Sequence, residues 1–254
     1  MRAAAVSRGH SGSPVRALAR LLAWVVQTAR LLAIVACALM CLAGWQMYRE
    51  AAAAKSLEER VEAVRLREGY TTIDQLPEFY LDAVVAAEDH RFWSHSGVDV
   101  LATARAAWND LKSWSLREGG STITQQLAKN LCFTQEKRFT RKIAEVFAAL
   151  RLERMYSKEE LLELYVNSIY FGEGCWCVGD ACRTYFGKEP AEMTEGECAL
   201  LAGIPNAPSV YNPSASPELA RQRLGQVVRQ MIRRGMLTEE DGQALIRSCR
   251  KIIA

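Results

Sequence analysis

A chain of 254 residues, half of them hydrophobic and 24% charged, has the composition of a folded globular protein and not of a disordered or collagen-like one. Its length allows one large domain or two small ones. The net charge is only +3, and nothing in that balance points to a nucleic-acid partner.

The charge is unevenly placed. Arg2, Arg8, Arg16, Arg20, Arg30 and Arg49 all precede the first acidic residue, Glu50. Within that part, residues 31–48 form an uncharged, mostly apolar run at the short end of what spans a bilayer. A second apolar segment, residues 21–29, comes before it, and Arg30 between them can snorkel to the headgroups. Basic residues upstream and acidic ones downstream put the N-terminus in the cytoplasm, and Trp45 and Tyr48 suit an interfacial belt. The expected organisation is a basic cytoplasmic segment (1–30), a single transmembrane anchor (31–48), a helical stalk (49–69) and a catalytic domain (70–254). That domain would sit on the outer, periplasmic face of the cytoplasmic (inner) membrane. Two alternatives stay open. A cleaved signal peptide lacks a small-x-small site closing the run, and a lipoprotein box at Ile34-Val35-Ala36-Cys37 lacks polar sequence after the cysteine.

Cys132, Cys175, Cys177, Cys182, Cys198 and Cys249 fall in the outer part, an even number that suits disulfides in an oxidising compartment. Zinc is the rival for Cys175, Cys177, Cys182 and Cys198, but their spacing lacks paired C-x₂-C hooks.

From Pro77 onward apolar residues recur at three- and four-residue spacing and strand-like alternation is nearly absent, so the domain is expected to be all-α. Ser157 with Glu160 and Thr194 with Glu197 read as capping boxes, and Ser216-Pro217 as a cap with a first turn. The first helix of the domain should begin near Pro77. Leu81, Val84, Val85 and Phe92 line its apolar face, and Glu88 falls on that same face. A carboxylate there must be paired or used, and desolvation pushes such an acid toward the range where it accepts a proton near neutrality. A further segment, with Val100, Leu101, Ala104, Trp108, Leu111 and Trp114 followed by Lys112 and Arg117, is either core or a helix lying in a membrane interface.

Gly119-Gly120-Ser121-Thr122 leads into a helix whose free N–H groups suit an anion. Ile123, Leu127 and Leu131 are its buried stripe, while Thr122, Gln125, Gln126 and Lys129 share a polar face suited to a sugar or phosphate. Residues 137–145 form the third stretch. Arg141 and Glu145 stand four apart, which is by itself an ordinary ion pair. Arg138, Arg141 and Lys142 nevertheless gather enough positive charge near Glu145 to hold a pyrophosphate.

These blocks, in order, resemble the peptidoglycan glycosyltransferases, glycosyltransferase family 51. The matching residues are Glu88-Asp89-His90-Arg91-Phe92 with His95 and Gly97, then Gly119 to Asn130, then Arg141-Lys142-x-x-Glu145. Lys158 through Asn167 to Gly172 follows, and last come Leu200 to Pro205 with Ala207 to Pro213. The resemblance covers roughly residues 70–235. It implies a lysozyme-like, bilobed helical domain with a membrane-associated jaw, and polymerisation of lipid II onto a growing glycan chain. The 4-hydroxyl of the acceptor's N-acetylglucosamine attacks C1 of the chain's N-acetylmuramic acid, inverting it and releasing undecaprenyl pyrophosphate. Glu88 and Glu145 become the catalytic candidates. Asp89, Phe92, His95, Gly120, Ser121, Thr122, Gln125, Gln126, Lys129, Asn130, Arg138, Arg141 and Lys142 become the substrate-binding ones. A divalent cation, Mg²⁺ or Mn²⁺, is compatible with the pyrophosphate, though no dedicated metal site is readable. The membrane and the cell-wall synthesis machinery are the expected partners.

Three departures stand out. Lys137 replaces a family arginine, Cys177 a family glycine and Gly179 a family glutamate. With no Ser-x-x-Lys block following, the expectation is a monofunctional polymerase or part of a longer chain. A lytic muramidase, which also uses two carboxylates, and an inactive assembly scaffold are the rival readings.

Overall fold

A computed structural model describes residues 14–113, 120–133 and 139–248. Among them there are eleven α-helices and no strand. The first, α1 (Pro14–Ala54), is 41 residues long and carries a span, Arg16–Ala54, long and apolar enough to cross a membrane. It runs unbroken through the expected boundaries at residues 30 and 48. At 1.5 Å per residue it measures about 60 Å, roughly twice a bilayer's hydrocarbon core. Its two ends differ. Leu21, Leu32, Leu39 and Leu42 are exposed, whereas Gly44 is buried against Ile143 of α6 (Phe139–Met155). Trp45 and Tyr48, expected as an interfacial belt, also meet Phe147 of α6, Trp45 edge-on, with ring centroids 5.1 and 6.4 Å away.

The stalk is a second helix rather than a continuation. Ser56 and Glu59 form a capping box that starts α2 (Leu57–Arg65). Arg60 then clamps three carbonyls, donating to Ala51 (2.8 Å), Lys55 (2.9 Å) and Leu131 (2.9 Å). The remaining helices are α3 (Glu78–Glu88), α4 (Val100–Ser113), α5 (Ile123–Cys132), α7 (Lys158–Val166), α8 (Val178–Phe186), α9 (Glu195–Gly203), α10 (Pro217–Arg233) and α11 (Glu239–Ser248). They pack in two groups. One is α3, α9, α10 and α11; the other is α2, α5, α6 and α7. The predicted caps at Ser157 and Thr194 are both present as complete boxes.

α3 begins after Pro77 and buries Tyr80, Ala83, Val84 and Val85 against α9 and α10. Phe92 falls beyond its end, in a short 3₁₀ turn, and is wholly buried beneath the Lys158 ammonium, 4.3 Å from the ring centre. α4 leaves Val100, Leu101 and Trp108 largely exposed, so the core reading of these side chains is wrong. Trp114 and Arg117 lie outside the described residues.

The disulfide expectation is corrected too. Among the described residues Cys132, Cys175, Cys177, Cys182 and Cys198 are free thiols; Cys249 lies outside them. Each sulfur is taken up by packing. Cys175 Sγ lies 3.3 Å from the Thr184 hydroxyl, Cys177 Sγ 3.5 Å from the Asn167 carbonyl and Cys182 Sγ 3.3 Å from Met193 Sδ. Burial pushes the Cys132 thiol up to about 11 and that of Cys198 up to about 12, which keeps both protonated and inert. Gly179 has a local reason as well. A Cβ there would meet the Gly69 carbonyl at 2.6 Å and Thr71 Oγ1 at 2.8 Å, so no side chain fits while the two segments cross this closely.

Candidate active site

A cleft of about 1100 Å³ opens between the two helical groups. Glu88, the last residue of α3, reaches into it. A carboxylate in a helix's final turn gains nothing from the helix dipole, so its retention here calls for another reason. The Glu88 side chain is 10% exposed. One oxygen, Oε2, accepts from Gln126 Nε2 (2.9 Å), and Gln126 Oε1 in turn accepts from the buried Tyr165 hydroxyl (3.3 Å). The other, Oε1, is buried without a hydrogen bond and lies 3.6 Å from an Arg223 Nη atom, an ion contact only.

Asp89 also lines the cleft, but its Oδ2 is engaged by His95 Nε2 (2.9 Å) and by the backbone N–H of Ile123 (3.0 Å). It ties the end of α3 to the first turn of α5. His95 therefore stands behind Asp89 and is not in the cleft lining. Phe92, in the core, is not there either.

The start of α5 divides the polar face that the sequence had grouped. Thr122 and Gln125 form a capping box, and Thr122 Oγ1 also donates to the Gly97 carbonyl (2.7 Å). Gln126 and Lys129 face the cleft, as does the Gln125 side of the box. Asn130 does not. Gly120 and Thr122 line a side pocket of about 110 Å³ beside Asp99, His90 and Arg105. Ser121 opens onto both spaces and accepts from Lys142 Nζ (2.8 Å).

α6 supplies the second acid. Glu145 is 1% exposed, with Oε1 3.0 Å from Arg141 Nε and Oε2 2.9 Å from Lys142 Nζ. Lys142 and Glu145 line the cleft, and Arg141 backs them. Arg138 lies outside the described residues. Burial pulls the Lys129 ammonium below its ordinary value; Glu145 and Glu88 oppose this, while Lys142 and Arg141 add to it.

Sequence reasoning missed the opposite wall. His90, Arg105, Tyr211, Arg223, Gln226, Gln230, Arg233 and Arg234 all line the cleft. Burial, then Arg234, Arg105 and Arg91, push His90 below the usual histidine value against the pull of Asp89, which favours the neutral ring. The spacing of Arg223, Gln226, Gln230 and Arg233 at three and four residues is the signal that was present. Six cations (Arg105, Lys129, Lys142, Arg223, Arg233 and Arg234) thus face three carboxylates across the cleft. Among the described residues no group of three or more His, Cys, Asp or Glu side chains converges as a dedicated metal site; Mg²⁺ or Mn²⁺ carried on a pyrophosphate would need only one or two of the cleft carboxylates, Glu88, Asp89 and Glu145.

The family model for transglycosylases matches residues 54–232. A Cupriavidus necator protein bearing the name of a transglycosylase is 42% identical over 189 residues, 74% of this chain and 81% of its own. Penicillin-binding protein 1A of Aquifex aeolicus is 46% identical over 171 residues, 67% of this chain and 24% of its own. The Neisseria flavescens protein of the same name is 44% identical over 180 residues, 70% and 23% respectively. The chain therefore spans about a quarter of the length of these penicillin-binding proteins. A solved penicillin-binding protein 1A from Haemophilus influenzae aligns with 70% of this chain and 17% of its own at 22% identity and a TM-score of 0.40, too loose a match to add to these. Together the family match and the near full-length relative establish that this chain belongs to the transglycosylases, the peptidoglycan glycosyltransferases.

Proposed function

We propose that this chain polymerises lipid II into glycan strands from the outer face of the cytoplasmic membrane, inverting the anomeric centre and releasing undecaprenyl pyrophosphate. The observation that carries the reading is a carboxylate oxygen, Glu88 Oε1, with neither a hydrogen bond nor a close cation, set in a strongly cationic cleft. Glu88 Oε1, buried and without a hydrogen bond, is placed to accept a proton from a sugar hydroxyl. As the acceptor's 4-oxygen bonds to C1, its proton passes to Glu88 and the C1–O bond breaks with its electron pair on the pyrophosphate. A departing pyrophosphate needs cations rather than a strong acid. Lys129 and Lys142 supply them on one side, oriented through Glu145. Arg105, Arg233 and Arg234 form a second cationic group beside His90, which suits the pyrophosphate of the other lipid-borne substrate. α1 serves as the single-pass anchor, and the exposed apolar side of α4 rests in the bilayer beside the cleft. The cell-wall synthesis machinery is the corresponding partner.

Glycan synthesis from lipid II in detergent, with wild type and Glu88→Gln, tests this. Polymer from wild type and none from the variant is the expected result. A wild type that makes no polymer but degrades finished glycan would instead make the protein a muramidase. A cellular role that survives Glu88→Gln would make it a scaffold.

A further inference from the structure

We propose that Arg223 is a positioning residue that selects Glu88 Oε1 as the proton-accepting atom. This rests on Glu88 being the base. The two oxygens of that carboxylate are treated differently. Gln126 Nε2 hydrogen-bonds to Oε2 and is itself steadied by Tyr165, so Oε2 is fixed and occupied. Oε1 has only the long contact to Arg223. At 3.6 Å the guanidinium attracts the carboxylate without taking the lone pair that a hydroxyl proton needs.

Arg223 is built to stay there. Its side chain is 8% exposed, Nε donates to the Gly203 carbonyl at the end of α9 (3.1 Å), and Nη1 donates to Gln226 (3.3 Å). The guanidinium also stands over the Tyr211 ring, 5.6 Å from its centre. Gly203 makes the approach feasible: a Cβ there would lie 2.9 Å from Arg223 Cγ. A buried guanidinium braced on a helix-end carbonyl keeps its position far better than an exposed one, because few rotamers remain.

The other titratable groups around Glu88 do not duplicate this role. Lys129 of α5 interacts electrostatically with Glu145 more than with Glu88, Tyr165 of α7 is a neutral phenol held up by burial, and Asp89 and His90 adjoin Glu88 along the chain. Lys142 and Glu145 of α6 share the cleft and neutralise each other. Removing Arg223 therefore frees the Glu88 carboxylate to turn, which costs the proton-transfer step and leaves substrate binding largely intact.

The test is the steady-state kinetics of glycan synthesis from lipid II by the full chain in detergent, with kcat and KM read separately. Arg223→Gln is expected to lower kcat by about 10- to 100-fold with KM little changed. Arg223→Lys, which keeps the charge but not the brace, should recover part of that kcat. Gly203→Ala is the second variant, since it displaces the Arg223 stem while leaving every charge in place. It should lower kcat by a smaller factor, again at unchanged KM, and it decides the matter if Arg223→Gln does not fold. A loss that falls on KM, or a kcat that Arg223→Lys does not recover at all, overturns the proposal and leaves Arg223 a packing residue. Retained activity in Glu88→Gln, by contrast, overturns the assignment of the base itself, whatever the Arg223 variants do.

Discussion

Glu88 and Glu145 are the same residue type at nearly the same depth, and their surroundings make them opposites. Each has one buried oxygen without a hydrogen bond, but Glu145 has a cation on each oxygen, both from its own helix and both within 3.0 Å. Glu88 has one amide hydrogen bond, and among the described residues its one cation within ion-pair distance stands 3.6 Å away. A buried acid so closely paired belongs to the electrostatic framework, because its removal strands two charges. A buried acid left open on one oxygen has proton-accepting capacity in reserve. What separates the two is therefore geometry at the level of single lone pairs.

Substitution should reveal that difference first. Glu88→Gln is expected to lower glycan synthesis by about a thousandfold while changing unfolding free energy by less than about 1 kcal/mol. Glu145→Gln is expected to lose about 2–3 kcal/mol in urea unfolding, with a smaller effect on rate than Glu88→Gln. The contrast breaks if Glu145→Gln stays fully stable yet loses as much rate. Lys129 sharpens it. Because burial lowers its ammonium, its charge is lost at lower pH than an ordinary lysine's, and affinity for the pyrophosphate substrate should decline accordingly in alkali. Lys129→Arg should move that decline upward, and Lys129→Ala should weaken substrate binding roughly tenfold at neutral pH.

A smaller effect is expected from the seat of α6. Gly44→Leu puts a side chain where Ile143 Cγ2 is 2.5 Å from a bare Cβ, forcing α1 and α6 apart. Thermal denaturation should show a loss of about 1–3 kcal/mol, and glycan synthesis should fall several-fold because Lys142 and Glu145 ride on α6. Asp99 provides the mildest case. Arg91 hydrogen-bonds to it, and with the Ala102 N–H holds its carboxyl down at about 2. Its folded value is depressed, so its contribution, about 1 kcal/mol, is full above the unfolded value and lost as pH falls through about 2. Urea midpoints of wild type and Asp99→Asn should converge at that acid end.

Much of this was legible from residue order. The helical period, the caps at Ser157 and Thr194, and the place of Glu88 at the end of an apolar helix follow from local rules and are present. What local rules miss is which helix closes over which. Arg223, Arg233 and Arg234 sit in an amphipathic pattern that reads as a solvated face until α10 is known to pack beside α3. Phe92 illustrates the reverse error, since it belongs to the matching block yet supports the site from within the core. The cysteines misled because an even count in the outer part says nothing about distance. Cys175, Cys177 and Cys182 lie against Thr184, the Asn167 carbonyl and Met193 rather than against one another.

Of the four α-helices that open on a complete capping box among the described residues, α2, α7 and α9 close it with a glutamate, while α5, beside the cleft, closes it with Gln125. The reciprocal hydrogen bonds are the same, and so is the start of the helix. What differs is that a glutamine completes the motif silently, adding no repulsion along the wall where an anionic substrate must pass. A sequence change as small as amide for acid thus separates folding from electrostatics at the one helix start where the two would otherwise conflict.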